Sequence, residues 1–151
     1  MFILLSACGG CLLLDASDLP YEVSSQGLAI QVHGSWRRYD LAADFDGIYV
    51  EKIGGNLGIE VEKLPGKSID RLNFMRGLRR PAREEAITSL GSLTGKGTRF
   101  IITGGGSKIF TIIFFPEGEL GGYYIVADVN GDRPEQWQDL YRVLATLHKT
   151  G

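Results

Sequence analysis

Only two cysteines occur in the 151 residues, Cys8 and Cys11, and three positions apart they cannot staple a distant loop, so no disulfide framework holds this fold. Neither sign of charge dominates. Sixteen Lys and Arg against 18 Asp and Glu leave a net charge of −2, without the basic balance that nucleic-acid binders carry, so no nucleic-acid partner is expected. Histidine is nearly absent. His33 and His148 stand far apart, neither beside a carboxylate or cysteine cluster, so they assemble no metal site and no Ser/His/Asp arrangement. His148 suits the last turn of a helix, where a cation complements the dipole. No apolar run reaches the roughly 20 residues that cross a bilayer, and the run 1–14 stops at Asp15. What remains is 44% apolar and 23% charged, enough for a single packed domain. No cofactor is expected.

The uncharged run at residues 1–14 holds both cysteines. Cys8-Gly9-Gly10-Cys11 has redox spacing, but such a centre gains its reactivity from a helix N-terminus, which two glycines start poorly. A buried strand would be weakened by the same glycines. Leu5-Ser6-Ala7-Cys8 resembles the lipobox of bacterial lipoproteins, in which Leu and two small residues precede a cysteine that is lipidated and becomes the mature N-terminus. The small residues let a signal peptidase grip an extended backbone, and the thiol is the group converted to a thioether. The resemblance implies that Cys8 is a lipid attachment site, that 1–8 is a signal remnant with its lipobox, and that 9–18 is a tether. Gly9 would follow the lipidated cysteine. By resemblance to Gram-negative lipoproteins, a residue other than Asp there implies the periplasmic side of the outer membrane.

Residues 19–149 read as one domain. Tyr21–Ser25 and Leu28–His33 flank Gln26-Gly27 with period-two alternation, a β-hairpin signature. Ile48–Ile53 and Leu57–Leu64 flank Gly54-Gly55-Asn56 in the same manner. The period then changes. Ser68 can cap a helix from Ile69 to about Arg79, and Ala82–Leu90, after Pro81, reads as a second short helix. The glycines of Gly91–Gly97 break it. Strands return at Thr98–Thr103, Lys108–Phe115 and Tyr123–Val129. Trp137, Leu140, Tyr141, Leu144 and Leu147 then form an amphipathic stripe, with Asp132 and Glu135 placed to cap its helix. Hairpins, grouped helices, a meander and a closing helix predict an α+β fold, with helices packed on a single antiparallel β-sheet.

Two stretches resemble the PsbP-like α/β sandwich family: Gly27-Leu28-Ala29-Ile30-Gln31-Val32-His33-Gly34-Ser35-Trp36, like that family's opening strand, and Glu135-Gln136-Trp137-Gln138-Asp139-Leu140, like the start of its closing helix. The resemblance implies that architecture and a non-catalytic accessory or binding role. It carries no catalytic residue onto this chain.

Catalytic and ligand motifs fail on their details. Asp128-Val129-Asn130-Gly131-Asp132 begins like a calcium loop, but Arg133 stands at the sixth place, where glycine is needed, and Asp139 at the twelfth, where a bidentate Glu is needed. Gly91–Gly97 resembles a phosphate-binding loop with its glycines one residue too close. Gly104-Gly105-Gly106 joins two strands rather than opening a helix. Gly47-Ile48-Tyr49 is half of a nuclease motif with no second half. The one concentration of charge is Arg71, Arg76, Arg79, Arg80 and Arg83, flanked by Asp70, Glu84 and Glu85. It reads as a solvated face with ion pairs or as a binding surface for anionic lipid or an acidic partner.

These readings converge on a non-enzymatic cell-envelope lipoprotein, membrane-anchored, acting as an accessory or binding module toward an envelope protein. The alternatives are a small envelope hydrolase or other enzyme, built from dispersed Asp, Glu and Arg, and a redox protein using Cys8 and Cys11.

Overall fold

A computed structural model describes residues 20–38, 47–64, 84–104, 107–119 and 121–151. Along the chain these form β1 (Tyr21–Ser25), β2 (Leu28–Val32), β3 (Trp36–Arg38), β4 (Gly47–Lys52), β5 (Leu57–Leu64), β6 (Glu84–Leu90), β7 (Leu93–Gly104), β8 (Ser107–Pro116), β9 (Gly122–Asn130), α1 (Pro134–Ala145) and β10 (His148–Lys149).

The α+β expectation is overturned. Strands take 65% of the described residues and the one helix among them 12%, so the fold is β-rich. Nor is there a single sheet. β1, β2 and β10 form a three-stranded sheet, and β3-β4-β5-β9-β8-β7-β6 a seven-stranded one, with every pairing antiparallel. The α/β sandwich implied by the family resemblance is corrected with it. The clearest local cause is Ala82–Leu90. Its described part, Glu84–Leu90, is strand β6, paired with β7, and a hairpin turn at Gly91-Ser92 replaces the expected helix end. β-branched Ile87 and Thr88 favour a pleated surface, and pairing with a neighbour outweighs the helix propensity of Glu-Glu-Ala. The helix expected over Ile69–Arg79 lies outside the described residues.

Gly95 and Gly97 are not breakers but part of β7. A Cβ on Gly95 would stand 2.2 Å from the Phe115 carbonyl oxygen, and one on Gly97 2.8 Å from the Phe114 ring. The Phe114 ring fills the space both glycines leave, which accounts for glycine inside a long strand. The two hairpins, the three later strands and the C-terminal helix stand where the periodicity put them, within a residue or two at their ends, apart from the extension of β7 back to Leu93.

One face of the large sheet carries the main core. Ile48, Val50, Ile59, Val61, Phe110, Ile112, Ile125 and Ala127 meet Val23, Ile30 and Val32 of the small sheet and Leu140, Val143 and Leu144 of α1. The opposite face carries a smaller cluster of Phe100, Ile113 and Tyr124. α1 begins at Pro134 after Arg133, whose N–H donates to the Gln136 side chain at 3.2 Å. Asp132, expected as the cap, instead accepts from the Trp137 indole N–H at 3.4 Å. The helix ends on Thr146, whose hydroxyl donates to the Val143 carbonyl at 2.7 Å and accepts the Gln31 N–H at 2.8 Å. That bond ties the helix end to β2, and β10 then adds to the same strand.

Candidate functional site

Helix α1 packs over β2, β5 and β9. β7 and β6 form the far end of the large sheet, and among the described residues their core-side face is partly open. Residues 85, 87, 99 and 101 point to that face by alternation with the paired Phe110 and Ile112, and Ile87, Arg99 and Ile101 stay half-buried. A groove results between α1 and the sheet end.

Two adjoining cavities occupy it, of about 160 and 150 Å³, both lined by Arg99, Phe110 and Tyr141. Their floor is aliphatic and aromatic. Phe110 lies at the centre, 1% exposed, with its ring edge-to-face to Trp137 (6.1 Å between centroids, 76°) and to Tyr141 (5.8 Å, 88°). Tyr141 stands above it at 44% exposure, a large aromatic ring at the groove mouth. Edge-to-face packing keeps the three rings in one arrangement.

Charge borders this floor. Arg99 donates from Nε and Nη2 to Glu85 Oε2 at 2.9 and 2.7 Å, joining β7 to β6 across the sheet edge. Behind Trp137, Lys108 pairs with Asp132 at 2.6 Å. The lysine, and secondarily the indole N–H, hold the Asp132 carboxyl below the usual carboxylate range. Lys52 and Arg142 both meet Asp139 on the helix, pinning it to β4. The lining can hold an apolar group and offer it one guanidinium and one carboxylate. Neither Arg99 nor Glu85 is a nucleophile activated by a neighbouring base.

The strand that carries Phe110 and the helix that carries Trp137 and Tyr141 stand where the sequence pattern puts them, but nothing in the pattern marks the groove between them. Cys8, Cys11 and the arginines at 71, 76, 79, 80 and 83 lie outside the described residues. Of the flanking acids, Glu85 belongs to the groove and Glu84 to the same strand. Tyr141 keeps the spacing of the amphipathic stripe, whereas the buried positions of α1 are Gln136, Leu140, Val143 and Leu144. A strand reading of 84–90 would have set Glu85 beside Arg99. His33 is exposed, and His148 lies on β10, with Nε2 3.3 Å from Glu22 and Nδ1 2.8 Å from the Thr146 carbonyl. Asp128 and Asn130 end β9, and among the described residues no group of three or more His, Cys, Asp or Glu could hold a metal. No described helix is long and apolar enough to cross a membrane.

No family model matches this chain, and no curated protein matches it in sequence. Among solved structures, a crystal structure from Bacteroides thetaiotaomicron VPI-5482 aligns with 83% of this chain at 9% identity and a TM-score of 0.47. The chain spans 46% of that protein's length. A likeness of that degree carries no functional argument.

Proposed function

We propose that this protein is a non-enzymatic cell-envelope lipoprotein, an accessory module that holds a partner protein by seating an apolar side chain of that partner beside Tyr141. The observation that carries the reading is the size and lining of the groove. Each of its two cavities, about 160 and 150 Å³, is smaller than the roughly 300–1,000 Å³ of small-molecule pockets, and the two together only reach the lower bound. An apolar space of about 150 Å³ accepts one benzene-sized group, the scale of an anchor residue at a protein interface. The Arg99–Glu85 pair at the lip offers one charge of each sign to polar groups flanking that anchor. The envelope location rests on the lipobox at Cys8, with the two or three acyl chains that stable anchoring requires.

Photocrosslinking tests the binding role. A photoreactive residue at position 141, in cells carrying the full chain, is expected to yield a discrete protein adduct that the same residue at exposed Lys96 does not. Identical adduct patterns from the two positions would refute the partner reading.

A further inference from the structure

A second cleft, remote from the groove in its lining, opens where the β1–β2 turn, the end of β5, the β8–β9 turn and the C-terminal strand meet. We propose that it is a binding site for a phosphate group, held between Lys63 and Lys149.

Lys63 stands directly opposite Tyr123 in the β5–β9 pairing, lines the cleft, and acts through its charge on the Glu119 carboxylate. Lys149 comes from β10 and pairs with Glu119 at 2.5 Å. Two ammonium groups therefore face one carboxylate, leaving the cleft a net positive charge. Tyr123 is 3% exposed, yet its hydroxyl reaches the cleft and meets Glu119 at 3.4 Å, long for an O–H···O bond. Burial, reinforced by Glu119, raises its pKa, so the phenol stays protonated at neutral pH and can donate to an anion. The cleft, of about 510 Å³, is large enough for a phosphate group with part of the molecule that bears it.

The rim has a fixed shape. Gln26 has φ of 54°, the one non-glycine residue with positive φ among the described residues. With Gly27 at φ 77° it makes the two-residue turn that closes the β1–β2 hairpin, a turn that takes positive φ at both places and so fixes this side of the rim. Gln26 lines the cleft, and the turn that holds it is tied to the C-terminus by the Thr150 N–H, which donates to the Gly27 carbonyl at 2.9 Å.

Glu119 acts as an internal stand-in for the anion. It occupies Lys149, and an arriving phosphate takes its place. This gives the site a signature that a structural ion pair lacks: removing the carboxylate strengthens binding.

The test titrates the full chain with inorganic phosphate at constant ionic strength, following the backbone amides of Gly27, Gly118, Lys149 and Thr150 by NMR. In parallel, the chain is sedimented with phosphatidylcholine vesicles with and without phosphatidylglycerol. Saturable amide shifts with inorganic phosphate assign the site to free phosphate or a phosphorylated small molecule. Sedimentation that requires phosphatidylglycerol, without such shifts, assigns it to a lipid head group. In whichever arm responds, Lys63→Ala is expected to weaken binding at least tenfold and Glu119→Gln to strengthen it severalfold, with Lys96→Ala unchanged. No response in either arm, or binding by folded Lys63→Ala equal to wild type, would overturn the proposal. Weakened binding by Glu119→Gln would overturn the stand-in role.

Discussion

The side-chain amide of Gln136 donates to the Asn130 carbonyl at 2.7 Å. The same nitrogen meets the Asn56 carbonyl at 3.1 Å, and the side-chain oxygen accepts from the Arg133 N–H at 3.2 Å. Gln136 is 2% exposed, so this one amide satisfies backbone groups of two loops and the helix start away from water. Gln136→Leu keeps the volume and strands those groups. It is expected to cost about 2 kcal/mol, the penalty of buried unpaired polar groups, measured by urea unfolding. A loss under about 0.5 kcal/mol, the size of an ordinary surface change, would contradict the role.

Two glycines separate crowding from strain. Gly95→Ala drives a methyl into the Phe115 carbonyl, whereas Gly118, at φ +76°, has nothing within 4 Å of an added Cβ. Gly95→Ala is expected to destabilise by about 3 kcal/mol through overpacking, and Gly118→Ala by about 1 kcal/mol through backbone strain alone. Equal effects in thermal unfolding would count against the account of Phe114 and its glycines.

Removing the ring at the mouth of the groove should harm binding more than folding. Tyr141→Ala forfeits the edge contact with Phe110, about 1 kcal/mol for such a pair. In quantitative binding with the partner identified by crosslinking, affinity is expected to fall more than tenfold, the scale of a hot spot. A variant that binds unchanged would refute the groove as the docking site.

Glu119 predicts a pH dependence at the β8–β9 turn. Lys149, foremost through their hydrogen bond, holds its pKa below the ordinary glutamate value of about 4.5. A depressed carboxylate contributes stability that is present above the unfolded value and lost as pH falls through the folded one. The Gly118 and Tyr123 amide signals, beside Glu119, are therefore expected to hold steady at neutral pH and to shift only in acid below about pH 4.5. Glu119→Gln should abolish that transition. A titration centred near neutrality would contradict it.

Cys8→Ser tests the anchor. Expressed from its own genomic locus in a bacterial host, the wild-type protein is expected to fractionate with membranes and to carry added lipid mass, and the variant to do neither. A wild type that stays in the soluble fraction at its unmodified mass would rule the anchor out.

The hairpin of β1 and β2 was legible because its signals are local: alternation in Leu28–Val32 and a turn at Gln26-Gly27. Strand β6 was not, because Glu84-Glu85-Ala86 favours a helix and only pairing with β7 decides otherwise. Gly95 and Gly97 read as breakers because their purpose lies in the Phe114 ring, on another strand. His148-Lys149 gives no strand signal of its own and joins the small sheet by meeting Leu28 and Ala29. The groove was hidden for a similar reason. Tyr141 keeps the spacing of a core residue, and its exposure depends on which strands α1 covers, a tertiary fact.

The large sheet is two local meanders, β3-β4-β5 and β6-β7-β8-β9, joined among the described residues only where β5 meets β9. Each meander can zip from its own turns, but the seam between them must bring together segments far apart in the chain. Loop-closure entropy opposes that step, and folds rich in such pairings assemble slowly. Until the seam forms, Ile59, Val61, Ile125 and Ala127, all buried in the finished molecule, belong to two unclosed edges. Open strand edges template pairing with other chains. The β5–β9 seam is therefore where this protein is most exposed to misassembly during folding.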